Sequence, residues 1–179
     1  MEDSFRVRGR DSRLSPEDLI KIERHPIHVV LDNLRSAFNV GSIFRTADAA
    51  LVERLHLCGI TAYPPHQKLD KTAMGALDYV PWEHHPDTRD AVLSLKDRGM
   101  PIVCLEPADI SKRFWEIEYP RPVCLVLGNE ALGISRDVLH LADHLVHIPM
   151  LGFKNSINVA TAFGVVVFEV VRQYRGGQC

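Results

Sequence analysis

The chain has 179 residues, of which 46% are hydrophobic and 25% charged, and its formal net charge is -2. This length suits one domain with a sizeable core and is short for two. The charge balance excludes a strongly basic nucleic-acid coat protein but leaves room for a local basic patch. No N-terminal stretch resembles a signal peptide and no apolar run approaches the roughly 20 residues of a membrane span, so we expect a cytoplasmic protein without a membrane partner.

The chain contains four cysteines, and none of them has the CxxC spacing of a zinc or redox motif. Cys58, Cys104 and Cys124 lie in apolar runs, which is typical of reduced core residues. Reduced cysteines also favour the reducing cytoplasm.

Residues 1–24 are predicted to form an N-terminal arm and a short helix, and residues 25–179 a single domain. The helix is expected to start after Ser15, with Pro16 at its first position. The arm is rich in arginine: Arg6, Arg8, Arg10 and Arg13. Two interpretations remain open, a disordered tail and a basic contact to RNA phosphate.

Apolar runs alternate with amphipathic segments along the rest of the chain. The predicted strands are 28–32, 54–60, a short one within 78–85, 101–106, 121–128 and 145–150. The predicted helices are 39–51, a segment near 69–76, 87–99, 135–144 and 155–175. This alternation predicts right-handed βαβ units, and therefore an α/β fold with a mostly parallel sheet flanked by helices.

Three polar turns follow predicted strands: the one after "HVVLD", then "GNEALG" after "VCLVL", then "MLGFKNS" after "LVHI". Ligands of open α/β sheets bind beyond the carboxyl ends of the strands, so we expect these turns to converge on one site. No GxGxxG follows a strand and GxxxxGK[ST] is absent, which disfavours a Rossmann dinucleotide site and excludes a P-loop. Glu130 in the second turn disfavours an anion and suits a ligand with positive charge.

Three longer stretches contain these turns: "NLRSAFNVGSIFRTADA", "LVLGNEALGIS" and "IPMLGFKNSINVATA". In order and spacing they resemble motifs one, two and three of the SpoU (TrmH) family of RNA ribose 2'-O-methyltransferases, in the SPOUT superfamily. The resemblance covers about residues 27–174. It implies a SPOUT-type fold with a deep trefoil knot near the C-terminus, S-adenosylmethionine (SAM) as cofactor and a homodimer. The knot is implied by this resemblance alone.

Carried over position by position, the resemblance implies three sets of site residues. The catalytic candidates are Arg45, Asn39, Glu130, Ser156 and Asn158. The cofactor-binding candidates are Leu105, Glu106, Leu127, Gly128, Asn129, Ile148, Met150, Leu151, Ser156, Ile157 and Asn158. The RNA-binding candidates are the four arginines of the arm together with Arg35 and Lys154.

Arg45 matches the arginine that the family places in catalysis. A guanidinium can hold a phosphate bidentately and stabilise negative charge on a developing alkoxide. Because its pKa lies above about 12, we expect it to position and stabilise rather than to accept the proton. Asn39 is expected to open its helix and to orient Arg45 or contact RNA, and Glu130 to anchor Asn39 or the third motif. Asn155 or Ser156 is expected to cap the last helix.

Two groups of histidines are considered as possible metal ligands or functional residues, and neither is predicted to have such a role. His140, His144 and His147 have a spacing that could suit a metal, but His147 is predicted to lie in the following strand, and the reaction needs no metal. His84 and His85 precede a proline and are predicted to lie in a solvated turn. We therefore expect no metal site.

The last predicted helix is apolar on nearly all sides, and one small domain rarely surrounds a helix completely. Part of this helix is therefore expected to contact a second subunit, in a homodimer with two-fold symmetry. In such a dimer Arg45 could serve the cofactor pocket of its own subunit or that of the partner, and the sequence leaves both open.

These observations predict an enzyme that transfers a methyl group from SAM to a ribose 2'-hydroxyl of structured RNA. Transfer RNA is favoured, because a short chain without an added RNA-binding domain suits a small structured target; ribosomal RNA is possible, and DNA is not expected. The alternatives are a non-catalytic RNA-binding protein on the same fold and an enzyme that binds small-molecule nucleotides.

Overall fold

A sheet of seven parallel strands organises residues 15–176, the part of the chain that the computed structural model describes. The strands are β1 (His25–Asp32), β2 (Val52–Cys58), β3 (Trp82–His85), β4 (Ile102–Leu105), β5 (Lys112–Arg113), β6 (Val123–Leu127) and β7 (His144–His147). Their spatial order is β3-β2-β1-β6-β4-β7-β5, so β6 lies between β1 and β4. All the paired strands run parallel, which confirms the predicted sheet.

Helices cover both faces of this sheet. They are α1 (Pro16–Ile20), α2 (Ala37–Ala49), α3 (Gln67–Ala73), α4 (Thr88–Asp97), α5 (Arg136–Leu139) and α6 (Val159–Tyr174), with a short 3-10 helix at Ala76–Asp78. None of the helices among residues 15–176 is long and apolar enough to cross a membrane.

Each face of the sheet has its own apolar core. On one face α2 and α6 pack over β1 side chains such as Val29 and Leu31, and Phe44 and Phe163 are fully buried there. On the other face α4 and α5 pack over a second set of strand residues that includes Val30. Because the central strands are buried on both faces, they are continuous apolar runs, as parallel strands usually are.

The free cysteines belong to the core, as predicted. Cys58, Cys104 and Cys124 are buried and form no disulfide. Burial raises the pKa of the Cys58 and Cys104 thiols to about 12, so both stay protonated at neutral pH. Burial also raises the pKa of Cys124 well above its ordinary value.

Several local predictions are wrong. Ser36, not Asn39, caps α2: its side chain accepts from the Asn39 N–H at 3.3 Å. Asn158, rather than Asn155 or Ser156, caps α6, which begins at Val159. Asn155, Ser156 and Ile157, which precede this cap, belong to a loop instead of the helix.

The strand predictions fail where apolar patterning is weak. Strand β5 was not predicted, because it consists of two exposed basic residues. His84 and His85 belong to β3 and not to a solvated turn. Helix α5 has four residues and is much shorter than predicted. The arm with Arg6, Arg8, Arg10 and Arg13 lies outside the described residues, so its RNA contact and the domain boundary at residue 24 stay predictions.

Candidate active site

A cavity of about 1070 Å³ lies at the carboxyl ends of β4, β6 and β7. Residues from the segments 105–107, 127–133 and 147–159 line it, and Asn39 of α2 reaches its wall. The three predicted turns therefore meet at one site, the first of them through Asn39. A cavity of this size accommodates a ligand as large as a nucleoside cofactor.

Nearly all the residues predicted to bind the cofactor line this cavity: Leu105, Glu106, Leu127, Gly128, Asn129, Ile148, Met150, Ser156, Ile157 and Asn158. Leu151 is the exception, because its side chain is 98% exposed and is not part of the wall. The catalytic candidates Asn39 and Glu130 and the RNA candidate Lys154 also line the cavity. Their roles stay predictions at this point.

The loop after β6 is closed tightly on itself. The backbone groups of Asn129 and Gly133 exchange two hydrogen bonds, at 3.0 and 2.9 Å. A Cβ added to Gly128 would lie 2.3 Å from both the Gly133 carbonyl carbon and the Ile134 nitrogen. Gly133 has a φ of +70°, a conformation that favours glycine. The two glycines of "GNEALG" are therefore required for this close backbone approach.

Buried polar side chains fasten this loop to the strand beside it. The Asn129 amide donates to the Asn33 carbonyl at 2.7 Å. The buried Asp32 carboxylate accepts from the Ser135 N–H at 2.8 Å and from the Thr88 hydroxyl at 2.6 Å. Sequence reasoning missed Asp32, which ends the apolar run "HVVLD" and could have been noticed as a charged residue at the end of a buried strand.

Glu106 provides a carboxylate in the cavity wall. Desolvation raises its pKa above the ordinary value, although the Ile134 N–H donates to it at 3.1 Å and acts in the opposite direction. The same carboxylate lies beside the Gly133 backbone. Glu106 can thus accept hydrogen bonds from hydroxyl or ammonium groups of a bound molecule.

Glu130 binds the N-terminus of α2. Its carboxylate accepts from the backbone N–H of Arg35 at 2.9 Å, from the N–H of Ser36 at 3.1 Å and from the Asn39 amide at 2.9 Å. Desolvation alone would raise its pKa, but these hydrogen bonds together hold the pKa below its ordinary value. The predicted contact between Glu130 and Asn39 is confirmed, while the negative charge faces a helix N-terminus instead of a ligand cation.

Asn39 continues this network to the third motif. Its side-chain oxygen accepts from the Asn158 amide nitrogen at 2.9 Å. The oxygen of Asn158 in turn accepts from the N–H groups of Ala160 and Thr161 at the start of α6. Glu130, Asn39 and Asn158 thus form one hydrogen-bonded chain that joins all three motifs at the cavity wall.

Arg45 does not line the cavity of its own subunit. Its side chain is exposed, and its Nη1 lies 3.5 Å from the Met74 sulfur. Phe38, seven residues earlier, lies on the same exposed face of α2 and is 51% exposed. Within one chain, Arg45 is therefore the one catalytic candidate that does not belong to the cavity wall.

Several other residues of the cavity wall were not predicted to belong to the site: Pro107, Ala131, Leu132, Gly133, His147, Gly152, Phe153, Asn155, Val159 and Ala162. Most of them lie inside the three quoted motifs but carry no group that suggests chemistry. His147 was considered only as a metal ligand; its Nδ1 lies 2.8 Å from the Ser111 hydroxyl.

Comparison with known proteins identifies the family, because residues 26–168 match the model of the SpoU rRNA Methylase family. The chain belongs to the SpoU methylase family. A tRNA (guanosine(18)-2'-O)-methyltransferase of Thermus thermophilus is 32% identical over 94% of this chain and 86% of that relative. The resemblance predicted from the three motifs is therefore confirmed.

Solved SpoU structures have the same fold. AviRb from Streptomyces viridochromogenes, a SpoU methyltransferase solved with AdoMet, superimposes with a TM-score of 0.79 at 28% identity, over 89% of this chain and 65% of that one. A second solved structure, described as giving insights into the 2-OH methylation of C/U34 on tRNA, superimposes with a TM-score of 0.76 at 30% identity. The match covers 85% of this chain and 98% of that one. Membership of the SpoU family confirms the predicted activity and cofactor: this chain is an RNA methyltransferase that uses SAM.

Proposed function

We propose that this SpoU methyltransferase methylates a ribose 2'-hydroxyl of transfer RNA. The observation that carries the proposal is the hydrogen-bonded chain from Glu130 through Asn39 to Asn158, which joins the three motifs at the wall of one cavity. The relative from Thermus thermophilus and the structure concerned with C/U34 are both described as acting on tRNA, and together they support this RNA class.

The residues of the cavity fit SAM. Gly128 and Gly133 bring backbone close enough to leave room for a nucleoside, and Leu127 and Ile148 supply apolar walls for its base. Glu106 offers a carboxylate to the hydroxyl or ammonium groups of the cofactor. When bound, the cofactor supplies an electrophilic methyl group on a sulfonium, and the protein must aim a ribose oxygen at it.

We assign Asn39 and Asn158 the task of holding that oxygen and the adjacent RNA in place. Their amides are fixed by each other, by Glu130 and by the first turn of α6. Such preorganised donors lower the barrier because they need no rearrangement when charge develops. The hydroxyl proton would leave to solvent, and the two amides would hold the ribose oxygen in place while negative charge develops on it.

We propose that Arg45 acts on the cavity of a partner subunit in a homodimer. Its exposed position on α2, outside its own cavity, supports action in trans. Four apolar side chains of α2, α6 and the cavity loop are exposed in the part of the chain that the structure describes, by between 39% and 102%: Phe38, Val165, Phe168 and Phe153. A two-fold interface over this surface would bury them and bring in the guanidinium of the partner.

We also propose the deep trefoil knot for the segment after β6. The chain returns to the middle of the sheet at β6 after building both neighbouring strands. Helix α5 then packs on one face of the sheet and α6 on the other, so the chain changes face between them. Stretching the chain by its termini should leave the unfolded contour shorter than that of an open chain of 179 residues; a full contour length would refute the knot.

We place the protein in the cytoplasm, where a tRNA substrate is available. Cys58, Cys104 and Cys124 are free and buried, which suits a reducing compartment. Fractionation of cells that express the full chain should recover it with cytosolic enzymes, and recovery with exported or membrane proteins would contradict this placement.

Mapping of ribose methylation tests the function directly. RNA from cells with and without the gene is digested and the 2'-O-methylated positions are compared by mass spectrometry. We expect one tRNA position to lose its methyl group without the gene, with position 18 and position 34 as the first to inspect. If a ribosomal RNA position loses its methyl group instead, the proposed ribose methylation is supported but the proposed tRNA substrate is wrong.

A further inference from the structure

Three histidines and a glutamate lie together on the sheet face that α4 covers, away from the cofactor cavity. His28 of β1 and His56 of β2 are 5% and 1% exposed, and their rings stack with centroids 5.1 Å apart. The ring of His85 lies 5.1 Å from that of His56 on the other side. In the parallel register Glu83 of β3 is opposite His56 and His85 is opposite Cys58, so all these side chains point to one face.

Three donor atoms form a triangle in this cluster. His56 Nδ1 and His85 Nε2 are 2.9 Å apart, and Glu83 Oε2 lies 3.9 Å from the first and 3.6 Å from the second. A tetrahedral zinc ion with bonds of about 2.0–2.1 Å separates its ligand atoms by roughly 3.3 Å. Side-chain shifts of well under 1 Å therefore bring these three donor atoms to the spacing of zinc ligands.

The surroundings also support the orientation that a metal ligand needs. His28 Nδ1 lies 2.8 Å from His56 Nε2, and His28 Nε2 lies 3.5 Å from the Glu53 carboxylate. With His56 Nε2 protonated, a proton points at His28 and the Nδ1 lone pair faces the triangle. A ligating histidine almost always donates its other N–H to such a partner, which fixes its tautomer.

One oxygen of the Glu83 carboxylate is bound by an arginine, and the other is available to a metal ion. Arg54 binds Glu83 Oε1, which holds the carboxylate in place and leaves Oε2 toward the two imidazoles. The guanidinium also offsets negative charge here, so the cluster does not attract cations by charge alone. The preference among metals is instead set by the ligand atoms. Two imidazole nitrogens and one carboxylate oxygen favour a late first-row transition metal over Mg²⁺ or Ca²⁺.

We propose that His56, His85 and Glu83 form a zinc site that fastens the edge strand β3 to β2. Glu83 and His85 are partly exposed, with side-chain exposures of 45% and 27%, so an ion enters from solvent and a water completes the tetrahedron. Within the described residues, strand β3 lies at one edge of the sheet and pairs with β2 on one side only. A bound ion would thus stabilise a four-residue edge strand.

The test is zinc titration of the full chain by calorimetry after treatment with a chelator, for the wild type and for His85→Gln and Glu83→Gln. We expect about one equivalent of Zn²⁺ to bind the wild type, and each substitution to weaken that binding by about 100-fold or more. His84→Gln is the matched control, since His84 lies on the same strand with its Nε2 3.2 Å from the Gly59 carbonyl. It should bind zinc like the wild type.

A second measurement separates this site from adventitious binding. Co²⁺ in place of Zn²⁺ should give the intense visible absorption of a tetrahedral ion in the wild type and in His84→Gln, and lose it in His85→Gln. Zinc should also raise the Tm of the wild type but not that of His85→Gln. Absence of zinc binding, or binding that His85→Gln and Glu83→Gln leave unchanged, would show that the cluster is a hydrogen-bonded histidine chain and would overturn the proposal.

Discussion

Asn39 and Asn158 share a hydrogen bond of 2.9 Å although 119 residues separate them in the chain. Asn39 is also bound by Glu130, and Asn158 also caps α6. This single contact therefore connects the first helix of the cavity to the last, and it makes the position of each amide depend on the other.

Asn158→Asp should break this contact while keeping the cap. The aspartate oxygen can still accept from Ala160 and Thr161, but a carboxylate oxygen replaces the donor that faces Asn39. We expect the methyl transfer rate to fall by about 100-fold, the range seen when one preorganised donor is removed. The free energy of unfolding should change by less than about 1 kcal/mol.

Single-turnover kinetics and urea denaturation measure these two quantities. Asn158→Ala is the companion variant, since it removes both the donor and the cap and should lose stability as well as rate. An Asn158→Asp enzyme with wild-type rate would show that the amide pair has no part in the reaction.

Gly128→Ala should disrupt the loop after β6. The added Cβ would lie 2.3 Å from backbone atoms of Gly133 and Ile134, which cannot move aside as a flexible side chain could. We expect SAM affinity to fall by at least about tenfold and stability by about 1–3 kcal/mol, as for overpacked sites. Calorimetric SAM titration and urea denaturation provide the two values.

Gly152→Ala is the matched control for that variant. Gly152 lies in the same cavity wall, yet a Cβ added there meets no atom within 4 Å. It should keep the stability and SAM affinity of the wild type. Equal losses in the two variants would mean that the close contact at Gly128 is not what the loop requires.

Glu130→Gln should change how stability depends on pH. Because the folded pKa of Glu130 lies below its ordinary value of 4.5, its stabilisation is complete above that pH and is lost as the pH falls through the folded pKa. At pH 7 we expect the variant to be less stable by about 1 kcal/mol, the usual cost of losing a helix cap. The difference in the free energy of unfolding between the two proteins should shrink as the pH falls below about 4.5.

Urea denaturation of both proteins over this pH range measures the effect. Glu118→Gln, at an exposed glutamate outside this hydrogen-bond network, is the matched control for the loss of one carboxylate. If the difference in unfolding free energy between Glu130→Gln and the wild type stays constant as the pH falls, the assigned hydrogen bonds to the start of α2 are contradicted.

Mixed dimers test whether Arg45 acts in trans. One subunit carries Arg45→Ala and the other Asn158→Asp, each with its own affinity tag. If Arg45 serves the partner, one cavity of the mixed dimer combines an intact wall with an intact arginine, and activity should recover to about half that of the wild type. Both parent homodimers should be nearly inactive, and a mixed dimer as inactive as they are would place Arg45 in its own subunit.

Much of the fold follows from local sequence patterns. Apolar runs such as "VCLVL" can be satisfied only in a sheet covered on both faces, and their alternation with helices fixes the parallel arrangement. The exact ends of the elements do not follow from these patterns. Ser36 and Asn39, for example, are equally good N-caps of α2 when their side chains are considered in isolation. The hydrogen bonds of the Asn39 side chain with Glu130 and Asn158 decide between them, because they commit this amide to other partners.

The candidate site follows from the sequence only in part. The three motifs indicate which residues gather, but the bond between Asn39 and Asn158 depends on long-range packing that no local pattern encodes. The position of Arg45 outside its own cavity also depends on tertiary structure. The sequence assigns His84 and His85 to a solvated turn because "WEHH" contains a single apolar residue and is too short to show the alternation of a strand.

The most direct test of the central claim is methyl transfer by the purified full chain. Unmodified tRNA is incubated with SAM that carries a deuterated methyl group, digested to nucleosides and analysed by mass spectrometry. The account predicts the deuterated methyl on a ribose 2'-oxygen of one nucleotide, with the yield reduced by Asn158→Asp. A deuterated methyl on a base, or no transfer to any tRNA by a protein that binds SAM, would contradict it.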